Sequence, residues 1–70
     1  MTKEQFLSKF ISYIEPYQDQ FSIPYSWEDE TAHLKLEPEL WKKLSEHQQK
    51  ELNELIHSLK GKISPESYSE

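Results

Sequence analysis

An α+β fold, with the order helix, β-hairpin, short helix, long helix, follows from two changes in the rhythm of the apolar residues. Between Phe21 and Leu36 they alternate. Phe21, Ile23, Tyr25 and Trp27 share one parity, Ala32, Leu34 and Leu36 another, and Glu28-Asp29-Glu30 separates the two runs as an acidic tip. On either side the apolar residues recur at helical spacing: Phe6, Leu7, Phe10, Ile11 and Ile14 before the hairpin, Leu52, Leu55, Ile56 and Leu59 after it. A two-stranded antiparallel sheet is marginal by itself, so the three helices are expected to pack together on its apolar face.

The first helix is signalled at both ends. Thr2 can cap it, Gln5 completes a capping box, and Met1 stands where it can staple onto Phe6, so the helix starts at Lys3. Pro16 disfavours helical dihedrals at Glu15 and ends it there or just before, with at most an irregular turn through Tyr17. Residues 17–20 form the crossing to the hairpin. Pro24 lies inside the first strand and has no N–H to give, so either that side of the strand is an edge or the pairing breaks there. The face carrying Ser22, Pro24, Ser26, Thr31, His33 and Lys35 is expected in solvent.

After the hairpin, Pro38 suits a first helical turn, and Leu36 with Trp41 can staple a short helix over residues 38–44 that turns Leu40, Trp41 and Leu44 inward. Ser45 with Gln48 makes a second capping box, which predicts a break near Leu44 and a new helix over residues 46–60, one continuous helix being the alternative. Gly61 is placed to close that helix in a left-handed cap, with Lys60 and Lys62 near the negative end of its dipole. The compact domain then spans 1–63, and 64–70 reads as a flexible polar C-terminal tail.

Seventy residues are near the lower limit for a self-sufficient core, and a deep catalytic cleft would remove core that such a chain needs. The charge is −5, from thirteen acids and eight lysines, and arginine is absent. That balance lacks the basic stripe of a nucleic-acid-binding domain and leaves no direct nucleic-acid partner expected. The amino-terminal residues lack the basic start and apolar run of a signal peptide, no stretch approaches the ~20 apolar residues of a membrane span, and there is no cysteine. A cytoplasmic protein with no membrane partner is the expectation.

Candidate chemistry is sparse. His47, Glu51 and Glu54 share a helix surface at i, i+4 and i+7, a spacing that can present ligands to a divalent metal but also that of any solvated helix face. His33 and His57 project elsewhere. No Gly-x-Ser-x-Gly elbow is present, and one glycine cannot build a phosphate-cradling loop. Neither enzymatic activity, nor a cofactor, nor a bound metal is expected.

Binding is the reading that remains: a non-enzymatic, acidic protein-binding module acting as a small regulator, inhibitor or adaptor of a larger, basic protein partner. Its surface is assigned to Tyr17, Tyr25, Trp27, Glu28, Asp29 and Glu30, where large rings lie beside the charged tip. The alternatives are a nucleic-acid mimic, with carboxylates at phosphate-like spacing along one face, and a structural subunit of an oligomer. The second strand, residues 31–36, has Lys35 as its main guard, so a homodimer could form by pairing that strand with its copy, unless a helix or the C-terminal tail covers the edge.

Overall fold

A computed structural model of the chain describes residues 1–66. Helix α1 (Lys3–Ile14) leads through a turn and a 3-10 segment (Gln18–Gln20) to strands β1 (Tyr25–Glu28) and β2 (His33–Leu36). Helices α2 (Pro38–Lys43) and α3 (Glu46–Ser58) follow, and strand β3 (Lys62–Pro65) closes the described chain. The small α+β domain with its hairpin and three helices agrees with the apolar patterning.

Both capping boxes form. Thr2 Oγ1 accepts from the Gln5 amide at 3.1 Å while Gln5 Oε1 accepts from the Thr2 amide at 2.8 Å. Ser45 and Gln48 exchange the same pair of bonds, each at 3.1 Å. Because Ser45 can satisfy its own set of orphan amides, α3 starts afresh and the chain bends after Lys43; Gln49 Nε2 reaches back across the bend to the Trp41 carbonyl at 2.8 Å. Among the described residues no helix is long and apolar enough to cross a membrane.

The sheet has three strands, in the order β1-β2-β3, where the patterning predicted two. β1 and β2 pair antiparallel, and β3 runs parallel to β2, with Leu34 beside Ile63 and Leu36 beside Pro65. This corrects the extent of the tail and decides between the two ways left open for the edge of β2. Ser64 and Pro65 are strand, not tail, and 67–70 lie outside the described residues. The edge of β2 proposed for self-pairing is occupied by β3, pinned by Lys62 N–H to the Ala32 carbonyl at 3.1 Å and Glu66 N–H to the Leu36 carbonyl at 2.9 Å. Central β2 therefore satisfies its backbone within the chain, and a dimer through it is excluded.

The core lies between the sheet and the helices. Phe6, Phe10 and Ile14 of α1, Leu34 and Leu36 of β2, Leu40 of α2, and Leu52 and Ile56 of α3 are buried, with Ala32 and Leu44. Three residues depart from their predicted places. Ile23 is 53% exposed because the ladder begins only at Tyr25, after Pro24, so alternation no longer governs residues 21–24. Trp41 packs against the core but is only half-buried; Leu40, one position earlier, takes the fully enclosed site on α2. Met1, the expected staple onto Phe6, is 55% exposed.

Gly61 does not supply the left-handed dihedral at the end of α3. That residue is Lys60, with φ 61°, and its amide bonds the His57 carbonyl at 2.9 Å while the Gly61 amide bonds that of Ile56 at 3.0 Å, a Schellman closure one residue earlier than expected. Gly61 is required by proximity instead: a Cβ there would stand 2.0 Å from the Ala32 carbonyl oxygen and 2.6 Å from the Ala32 Cβ. The hairpin loop and the α3–β3 junction thus meet backbone to backbone.

Candidate functional site

Strand β1 runs under α1. The Tyr25 ring meets the buried Phe10 ring edge-on, with centroids 5.2 Å apart and planes at 83°, and the Trp27 ring lies 5.8 Å from that of Phe6 at 31°. Both rings are half-buried, so each is partly a lid on the core and partly surface. Glu28 ends the strand, and Asp29 and Glu30 begin a loop that returns through Ala32, which has φ 52°. All three acids are exposed. Trp27 Nε1 donates to Asp29 Oδ1 at 3.4 Å, and Lys3 Nζ at the start of α1 donates to the Asp29 carbonyl. Tyr25, Trp27 and the acidic tip are therefore one continuous edge of the molecule.

Tyr17 does not belong to it. It follows the C-terminus of α1, its amide bonding the Ile14 carbonyl at 2.8 Å, and Lys43 Nζ sits 5.6 Å from its ring centroid. The tip is held by Lys3 at the other end of α1, and a helix of that length spans about 18 Å. Tyr17 is therefore remote from the acidic tip.

The ladder reveals something that side-chain patterning alone had missed. The Glu37 amide donates to the Pro24 carbonyl at 3.1 Å, extending the β1–β2 register by one pair. In an antiparallel ladder the pairs that exchange hydrogen bonds alternate, so they are Pro24 with Glu37, Ser26 with Lys35 and Glu28 with His33. Tyr25 and Trp27 occupy the other positions and turn their backbone N–H and C=O groups away from β2, where no described residue bonds them. The nitrogen of Pro24 faces β2, so proline ends the pairing without guarding the outer edge.

The metal candidate is otherwise engaged. Glu51 accepts from the Tyr13 hydroxyl and pairs with Lys9 Nζ at 3.1 Å, tying α3 to α1. Among the described residues no group of three or more His, Cys, Asp or Glu side chains is placed to hold a metal ion. The hydrogen bond from Tyr13, then that from Lys9, holds the Glu51 carboxyl below its usual range, while the bond to Glu51 raises both Lys9 and Tyr13 above theirs. The signs follow by linkage. A carboxyl depressed in the folded state binds fewer protons there than in the unfolded chain, so its contribution is present above the ordinary carboxylate range and is lost as pH falls through the depressed value. The contributions of Lys9 and Tyr13 are present below their ordinary values and lost as pH rises through the raised ones. Urea unfolding of wild type and Glu51→Gln across about pH 2 to 7 is expected to show the stability gap closing toward the acid end. A gap independent of pH would contradict the contact.

The outer face of the sheet is polar, and His33 Nε2 lies 2.9 Å from Ser64 Oγ across β2 and β3. A groove of about 680 Å3 runs between α3 and β3, lined among others by Gln49, Asn53, His57, Lys62 and Ile63. Its lining carries no serine, threonine or cysteine. Comparison of the chain with family models, curated proteins and solved structures finds no match.

Proposed function

We propose that this chain is a non-enzymatic, acidic protein-binding module, a small cytoplasmic regulator, inhibitor or adaptor of a larger basic protein. The observation that carries the reading is the coincidence, at one sheet edge, of two half-buried aromatic rings, unpaired backbone groups and three exposed carboxylates. Tyr25, Trp27, Glu28, Asp29 and Glu30 form the binding surface, and Tyr17 is left out of it. The nucleic-acid mimic draws less support, since it asks for carboxylates in an open row, whereas Glu39 and Glu51 are paired with Lys42 and Lys9.

The test is neutralisation of the tip by Glu28→Gln, Asp29→Asn and Glu30→Gln together. Helix content and melting temperature are expected to stay nearly unchanged, because exposed charges contribute little to folding. Affinity for the basic partner captured from native lysate is expected to fall roughly tenfold at low salt, mainly through a slower association rate, and by less at high salt. Equal affinity of the two proteins at low salt would remove the tip from the mechanism and this reading with it.

A further inference from the structure

We propose that the outer edge of β1 receives an extended, basic segment of the partner as a fourth, antiparallel strand; this deepens the protein-binding reading above and rests on it. The sheet has two free edges among the described residues, and they are unequal. On β3 the amides of Lys62 and Glu66 are spent on β2, so Ile63 and Pro65 face outward, and proline has no N–H. That edge offers a single donor. On β1 the outward residues are Tyr25 and Trp27, which together present two N–H and two C=O groups to an incoming chain.

The surroundings of that edge specify what fits. On α1, Lys9 and Tyr13 face α3 through Glu51, and at 3.6 residues per turn Leu7 and Ile11 lie on the opposite flank of the helix. Since Phe6 and Phe10 sit over Trp27 and Tyr25, that flank overhangs the open edge, and Leu7 and Ile11 are both half-buried. An added strand would place every second side chain under Leu7 and against the Tyr25 and Trp27 rings, where apolar residues are favoured. Running antiparallel, it would bring its N-terminal end beside Glu28, Asp29 and Glu30. Charge complementarity with these three carboxylates selects lysine or arginine there.

The probes are synthetic peptides of sequence Lys-Lys-Val-Thr-Val-Thr-Val, read by amide exchange and chemical shifts of the isotope-labelled protein. Residues that point their side chains to the core face also point their N–H groups at β1, so N-methylation of the valines removes the ladder and N-methylation of the threonines leaves it intact. The parent peptide is expected to slow exchange at the Tyr25 and Trp27 amides. The valine-methylated peptide is expected to bind about tenfold more weakly or worse, and the threonine-methylated peptide within about threefold of the parent. Equal binding of both methylated forms, with loss on replacing the lysines by glutamate, would overturn strand addition while leaving the acidic protein-binding reading in place. Absence of protection at Tyr25 and Trp27 with every peptide would overturn it too. So would protection in the free protein that grows with its concentration, which would give the edge to a second copy.

Discussion

Gly61→Ala is expected to lower the unfolding free energy by about 2 to 4 kcal/mol, out of the roughly 5 to 15 available to a domain of ordinary stability. The added Cβ would stand 2.0 Å from the Ala32 carbonyl oxygen, and neither group is the free end of a side chain that can swing away. The backbone must separate, and the bond it loses first is the one from the Lys62 amide to that same carbonyl, the first rung of β3. Two measurements check this. The urea midpoint should fall, and amide exchange should quicken at Lys62 and Glu66, the two donors that pin β3 to β2, ahead of the α1 amides. A variant with an unchanged midpoint and protected Lys62 would mean that the junction relaxes without cost. It would also take away the physical reason for glycine at this position.

Gly61 illustrates where the sequence could be read and where it could not. Helix ends were legible because capping is local: Thr2 with Gln5, and Ser45 with Gln48, satisfy orphan amides within four residues, and no distant contact overrides them. The requirement for glycine depends on Ala32, which is remote in sequence, so the chain pattern suggested a dihedral role that Lys60 in fact fills. The third strand escaped for a related reason. Residues 62–65 contain a single large apolar side chain and a proline, too little alternation to signal a strand, and they become one because β2 has an edge to be satisfied. In the candidate site, the aromatic and acidic residues were visible as types, and Tyr25, Trp27 and the tip do adjoin. That Tyr17 lies at the far end of α1, and that the edge beside Trp27 is open, follow only from the register.

Phe10→Ala is expected to cost about 3 to 5 kcal/mol, the largest effect of any substitution considered, because the ring is fully enclosed and the space it leaves is bounded by a helix and a sheet that cannot both move in. Trp41→Ala supplies the comparison. The sequence turns that tryptophan inward with Leu40 and Leu44; only partly buried on α2, it should cost less than Phe10 does, since only the area withdrawn from water contributes. Chemical denaturation of the two variants decides the order, and a larger loss from Trp41 would place the centre of the core under α2 instead of α1. The same substitution bears on the binding edge. Phe10 is the surface against which Tyr25 stands edge-on, so Phe10→Leu, which retains most of the volume, should leave the chain folded while releasing the Tyr25 ring from its fixed orientation. Partner affinity should then fall further than stability does, whereas parallel losses in the two would assign Tyr25 to the core alone.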